Sequence, residues 1–373
     1  MGRVVVFGAT GYTGNLAARA CAERGLRPVL AGRNEAGLQA AAAELGGLEI
    51  AVADAGRPDT VRALVQAGDV LVTTVGPYLR YGEPALRAAA AAGAHYLDLT
   101  GETGFIRRVF DEYGTVAERA GVTMLPAFGH DWVPGNLAGA LALRDAGDTA
   151  RRLEIGYFDY LPGKAYTGLP PKMASSGTKA TMASDANSTS YAFRGGRLVP
   201  ERMARTVRRF VVDGRGMQAV SVGGTEQFAL PRLFPALTEV EVYLGWFGQA
   251  SRLAQAASAG QQLAERLPGV AALRARLFER ALAVTGQGPA PGAFEHAECR
   301  TVAVCRDGAG RELSRVDLRG PADAYAASAD LLAWGAEQLA AGRMLRAGAC
   351  GPVDAFGLDA LESGAARLGY HPL

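Results

Sequence analysis

Near the start of the chain, Gly8, Ala9, Thr10, Gly11, Tyr12, Thr13 and Gly14 place glycine at every third position, between an apolar run, Val4-Val5-Val6-Phe7, and a helix-forming stretch from Asn15. Glycines turn the chain without Cβ clashes, and a helix N-terminus offers unpaired N–H groups at the positive end of its dipole. A strand, a glycine turn and a helix start, in that order, make a cradle for the diphosphate of a dinucleotide. A glycine-rich hairpin is the competing reading, and the strand pattern before the turn with the helix pattern after it argues against that.

The tip of the next strand selects the dinucleotide. A carboxylate there pairs with the ribose of NAD, whereas this chain reads Gly32-Arg33-Asn34. Arg33 can grip a 2′-phosphate bidentately, which favours NADP(H) over NAD(H). Asp54, at the end of a third strand near 48–53, is placed either to touch the adenine or to serve as a turn or cap residue. A fourth strand, Asp69–Val75, runs into Val75-Gly76-Pro77-Tyr78, a second loop at the carboxyl edge of the sheet, where ligands of open α/β sheets bind. Tyr78 is a candidate proton donor there, with plain packing as its alternative.

Those loops need a scaffold, and the alternation of strand and helix patterns through the first half of the chain predicts a parallel sheet. With 373 residues, about half of them apolar, two domains are expected. A net charge of +2 and no basic stripe argue against a nucleic-acid partner. No apolar run approaches bilayer length and no leader pattern opens the chain, so a cytoplasmic protein without a membrane span is expected. Cys21, Cys299, Cys305 and Cys350 lack C-x-x-C spacing, which supports neither a metal site nor a disulfide framework.

In order and interval, GATGYTG, AGRN, TVGPY, HYLDLTGE and AFGHDWVPGNLAG resemble the saccharopine dehydrogenase-like oxidoreductases, within them the bacterial branch that includes trans-acting enoyl reductases. The resemblance is firm over residues 1–145 and fainter at Ser176-Gly-Thr178 and Val222-Gly-Gly-Thr225. It implies an α/β protein: a Rossmann-type doubly wound parallel sheet at 1–135, a second α+β domain with a mixed, antiparallel-rich sheet at 136–320, and a segment at 321–373 that returns to the first domain. Where many relatives read Gly-Phe-Asp-Ser-x-Pro-Ser-Asp, this chain has Gly129-His130-Asp131-Trp132-Val133-Pro134-Gly135-Asn136. Histidine ordinarily titrates near neutrality, so His130 is a candidate acid, with a loop-shaping hydrogen bond as its alternative. Asp131 is a candidate for proton chemistry or for capping the next helix, and Trp132 is a candidate wall of the substrate pocket.

Beyond residue 150 the pattern changes to alternating strands at Arg152–Tyr160, Glu239–Leu244, Glu298–Cys305 and Leu313–Leu318, which predicts antiparallel pairing. The chain's three lysines, Lys164, Lys172 and Lys179, fall in one Gly/Pro/Ser/Thr-rich stretch. Lys179 is a candidate substrate-lining residue in a loop that closes as a lid, against the plainer reading of a solvated loop. Residues 251–280 read as an amphipathic helix for core or dimer packing, and a homodimer is expected. The combined reading is an NADPH-dependent reductase of a C=C or C=N bond in a small secondary-metabolite or lipid intermediate. Its alternatives are a carbonyl reductase and a non-catalytic NADP-binding sensor or scaffold.

Overall fold

Val4–Phe7 form strand β1, wholly buried, as a run of branched apolar residues must be in a parallel sheet covered on both faces. The structure is a computed structural model that describes residues 2–169, 173, 189–264, 288–290 and 292–373. From β1 the chain alternates as expected: α1 (Tyr12–Glu23), β2 (Val29–Gly32), α2 (Glu35–Glu44), β3 (Ile50–Val52), α3 (Pro58–Arg62) and β4 (Val70–Thr73). There follow α4 (Tyr78–Tyr81), α5 (Glu83–Ala92), β5 (His95–Asp98), α6 (Thr103–Arg108), a π-helical turn at Val109–Tyr113, α7 (Gly114–Ala120) and β6 (Thr123–Leu125).

These six strands are parallel, and a seventh, β15 (Gly348–Ala349), joins β6 from the far end of the chain, giving the order β15-β6-β5-β4-β1-β2-β3. Strands two and three extend to one side of β1, and strands four to six to the other. The sheet therefore reverses between β1 and β4, the switch point at which doubly wound sheets bind ligands. Val6 pairs with Leu30 on one side and Val72 on the other, so the loops after β1 and β4 emerge side by side. At the opposite end of β5, buried His95 accepts a hydrogen bond from the Thr123 N–H through Nδ1 (3.0 Å). Burial holds this imidazole below its ordinary value of 6.5. The third strand is shorter than the pattern predicts because it lies at the sheet edge with only β2 to pair with; its Val52 is exposed.

The chain divides into two compact units. The first comprises residues 1–101, 105–133 and 323–368, and the second 102–104, 134–322 and 369–373. The C-terminal part of the first unit holds α11 (Ala324–Ala340), β15, α12 (Pro352–Phe356) and α13 (Leu358–Arg367). The long helix α11 packs along α1.

The second unit contains α8 (Val133–Ala146, from Pro134 onward), β7 (Arg152–Tyr160), β8 (Thr189–Arg194), β9 (Arg197–Arg202), β10 (Val207–Val212) and β11 (Arg215–Val222). It continues with α9 (Glu226–Leu233), β12 (Glu239–Leu244), α10 (Ser251–Ala264), β13 (Glu298–Arg306), β14 (Glu312–Gly320) and β16 (His371–Pro372). Its sheet runs β10-β11-β12-β7-β13-β14-β16, with β8 pairing to β12 and β9. Among the described residues only β7 and β12 pair in parallel, so the sheet is mixed and mostly antiparallel, as expected. Phe158, Tyr160, Phe210, Met217, Tyr243, Val302 and Val304 build its aromatic core. Of the amphipathic stretch expected at 251–280, the part beyond Ala264 lies outside the described residues. All four cysteine side chains are buried thiols. Among the described residues, no helix is long and apolar enough to cross a membrane.

Candidate functional site

The glycine turn is pinned to the sheet before it reaches the helix. Gly8 N–H and Ala9 N–H both donate to the Ala31 carbonyl of β2 (2.8 and 3.1 Å), and Gly11 N–H donates back to Gly8 O (2.9 Å). Gly8 has φ +98°, a conformation side chains resist. A Cβ on Gly14 would stand 2.0 Å from Gly8 O and 2.7 Å from Thr74 Oγ1, so glycine here lets α1 start hard against the β1 turn.

Helix α1 starts at an extended Gly11 with no side-chain cap and no acidic residue in its first turn. Its leading N–H groups and its positive dipole end are therefore left for an anion, which is the fit a dinucleotide diphosphate requires. Thr10, Gly11 and Tyr12 are exposed on this rim.

On the β2 side of the turn, Arg33 is exposed, and among the described residues no carboxylate pairs with it. Asn34 is occupied within its own helix start, where its Oδ1 accepts from Gly37 N–H (3.1 Å) and caps α2. A Cβ on Gly37 would meet Asn34 Nδ2 at 2.9 Å and Thr10 Cγ2 at 3.2 Å, so this glycine, which lies outside the quoted motifs, makes room for both. Asp54 follows the turn reading. Its Oδ1 accepts from Gly56 N–H (2.8 Å) while its own N–H donates to Thr60 Oγ1 (2.9 Å).

After β4, Thr74 N–H donates to Phe7 O (2.9 Å) and Thr74 Oγ1 lies 3.4 Å from both Phe7 O and Gly8 O, which ties the second loop to the first. Val75 N–H donates to Thr73 Oγ1 (3.3 Å), and a cis Gly76-Pro77 bond leads into α4. Tyr78 is buried. Its hydroxyl donates to Thr73 O (3.0 Å) and accepts from Leu99 N–H (3.3 Å), and its ring packs on Phe105 at 5.6 Å. The phenol that the motif offers as a proton donor, with packing as its alternative, here joins the ends of β4 and β5, as a buried hydroxyl finds hydrogen-bond partners.

Asp98, fully buried at the end of β5, orders the third loop. Its Oδ1 accepts from Thr100 N–H and Ala127 N–H (both 2.8 Å), and its carbonyl accepts from Phe128 N–H (2.7 Å). Ala127 is held at φ +57°. Phe128 stacks on Trp334 at 6.3 Å and meets Phe356 edge-on at 5.9 Å. Gly129 is closely packed: a Cβ there would stand 2.6 Å from Leu99 Cδ2, so that side chain would have to shift. His130 is buried and its N–H donates to Ser328 Oγ (3.0 Å). Asp131 is half-buried in the turn before α8, and Trp132 is buried. In the sequence Asp98 stands only as part of the HYLDLTGE motif; an acid at a strand end among apolar neighbours was the available clue to its role. Lys179 lies outside the described residues.

Three loops thus line the carboxyl edge of the sheet, beside a helix N-terminus without a side-chain cap and an arginine at the tip of β2 that pairs with no carboxylate among the described residues. Residues 4–125 match the family described as saccharopine dehydrogenase NADP binding domain. That stretch of the first unit, residues 4–125, is thus similar to the NADP-binding domain of saccharopine dehydrogenases. The chain is also 43% identical over 141 residues to a putative trans-acting enoyl reductase of Mycobacterium tuberculosis, covering 36% of this chain and 34% of that one. It is 41% identical over 140 residues to the trans-acting enoyl reductase of Mycobacterium ulcerans, with the same coverage. The matched stretch spans about a third of the length of these curated relatives. Saccharopine dehydrogenase (L-Glu forming) of Saccharomyces cerevisiae aligns over 100% of this chain and 99% of its own, with a TM-score of 0.60 and 11% identity, a likeness of fold.

Proposed function

We propose that the chain is an NADPH-dependent reductase that transfers a hydride to a C=C or C=N bond of a small secondary-metabolite or lipid intermediate. The observation that carries this reading is the pairing of an uncapped α1 N-terminus with an exposed Arg33 at the tip of β2 that meets no carboxylate among the described residues. The names of the mycobacterial relatives favour C=C. NADPH supplies the hydride when bound. The chain's own part is to hold the diphosphate on the first turn of α1, to grip the 2′-phosphate with Arg33, and to aim the reacting end between the loops at Val75–Pro77 and Gly129–Trp132. Reduction also needs a proton. With the Tyr78 hydroxyl directed at Thr73 O, His130 is the donor we assign: an imidazole N–H can give a proton, and Ser328 holds the backbone of this loop.

The test is titration with NADPH and NADH by intrinsic tryptophan fluorescence, followed by NADPH consumption on enoyl thioesters, cyclic imines and ketones. Tight NADPH binding with turnover of an enoyl or imine acceptor is expected. Turnover confined to ketones would make the protein a carbonyl reductase, and binding without turnover of any class would make it a sensor.

A further inference from the structure

The dinucleotide cradle is braced by a helix more than 300 residues away in sequence. Tyr12, in the glycine turn, meets Tyr325 edge-on, with ring centroids 5.6 Å apart at 78°. At the other end of the same helix pair, Arg24 Nη1 lies 2.9 Å from Glu337 Oε2. Both pairs are separated by the same 313 positions in the chain. Helices α1 and α11 therefore run parallel and in register over twelve residues, about 18 Å of helix at the usual rise. Both begin at the carboxyl edge of the sheet.

The two N-termini differ in what they offer. That of α1 is uncapped. That of α11 is closed by Asp323, whose Oδ1 accepts from Tyr325 N–H (3.0 Å) and Ala326 N–H (3.1 Å). The first turn of α11 consequently presents side chains rather than N–H groups. One of them, Tyr325, reaches the glycine turn. Another, Ser328, stands three residues on and accepts the His130 N–H at 3.0 Å, with its Oγ 3.1 Å from where a Cβ on Gly129 would lie. A single helical turn thus touches the loop that faces the diphosphate and the loop that faces the reacting end. The Tyr12 phenol is pushed up first by burial, then by the charges of Asp323 and Tyr325, in keeping with its place against α11.

We propose that Tyr325 and Ser328 are positioning residues for dinucleotide binding: the first turn of α11 holds the Gly8–Gly14 and Gly129–Trp132 loops in the geometry that accepts the cofactor. The inference rests on the reading of the first unit as a dinucleotide site. Tyr325 acts on the turn that faces the diphosphate, which NADPH and NADH share, so its loss weakens both equally, unlike a change at Arg33.

The test measures affinity for NADPH and NADH, and hydrogen exchange of the free protein, in the unaltered chain, Tyr325→Ala, Tyr325→Phe and Ser328→Ala. Tyr325→Ala is expected to raise both dissociation constants by about three- to tenfold, as loss of one aromatic edge contact implies. It should also speed exchange in the peptide containing Gly8–Gly14 while leaving the 127–133 peptide unchanged. Tyr325→Phe keeps the ring and should behave as the unaltered chain. Ser328→Ala should speed exchange in the 127–133 peptide alone. If Tyr325→Ala does not fold, Tyr325→Leu, which keeps apolar bulk without the ring, takes its place. Unchanged affinity and exchange in the alanine variants would overturn the proposal, as would equal acceleration of both peptides in each variant, the mark of general loosening. If the unaltered chain binds neither dinucleotide, the proposed function falls, while the exchange pattern still decides whether α11 holds the two loops.

Discussion

Replacing Gly14 by alanine probes the cradle most directly. The added Cβ would stand 2.0 Å from Gly8 O, 2.7 Å from Gly8 C and 2.7 Å from Thr74 Oγ1. Ordinary carbon–oxygen contacts begin at ~3.2 Å, so the backbone of α1 must retreat from the β1 turn by roughly 1 Å, and no rotamer change can relieve a clash with backbone. A retreat of that size stretches a hydrogen bond of about 2.9 Å beyond useful length. At least one charge-assisted contact from the helix start to the diphosphate is then lost, about 1.5–3 kcal/mol, or about 10- to 150-fold in the NADPH dissociation constant. Overpacking should also cost about 1–3 kcal/mol of stability. Gly11→Ala is the internal control, because its Cβ would meet Gly8 O at 3.3 Å, a tight but tolerable contact. Isothermal titration of both variants with NADPH, alongside thermal denaturation, checks the expectation. A Gly14→Ala protein with unaltered affinity, or a Gly11→Ala protein as impaired as it, would refute the steric argument.

Three further outcomes follow from the same geometry. Arg33→Glu should weaken NADPH far more than NADH, by roughly 1.5–3 kcal/mol for the lost charge-assisted contact, read by fluorescence titration; equal losses for the two would remove Arg33 from the 2′-phosphate site. Tyr78→Phe leaves Thr73 O and Leu99 N–H without the hydroxyl and should cost about 1–3 kcal/mol of stability while sparing turnover; loss of turnover at unchanged NADPH affinity would restore the tyrosine as proton donor. His95 is buried with its value below 6.5, so below that pH the unfolded chain binds the proton more readily and stability falls as pH drops toward the folded value. In His95→Asn, whose Oδ1 can still accept the Thr123 N–H, the unfolding midpoint should lose that part of its pH dependence as pH falls below the ordinary histidine value; an unchanged profile would assign the effect elsewhere.

Much of the first unit was legible locally. A branched apolar run can only be a buried strand in a parallel sheet, glycine at position 8 carries the positive φ, and a missing cap at Gly11 leaves donors for an anion. The strand at Arg152–Tyr160 and the Glu298–Arg306 hairpin with Glu312–Gly320 were equally readable, because a half-buried strand writes its two faces into alternate residues. By contrast, the β8–β9 and β10–β11 hairpins carry no such signal: in Arg197–Arg202 the adjacent Leu198-Val199-Pro200 break the alternation, and in Val207–Val212 the pair Arg208-Arg209 does.

The sequence by itself determined the cradle, because turn, strand and helix N-terminus are set by conformational preferences within a few residues. Tertiary structure decided which groups remain available for chemistry. Tyr78 looked free beside a cofactor loop until the ends of β4 and β5 consumed its hydroxyl. Asn34, next to Arg33 at the tip of β2, turned out to cap α2. Asp98 gained its role only when Ala127 was brought to it, and Tyr12 its neighbour only when α11 packed along α1. Such pairings depend on which surfaces bury each other, and a chain records that in the sum of its packing rather than at any one position.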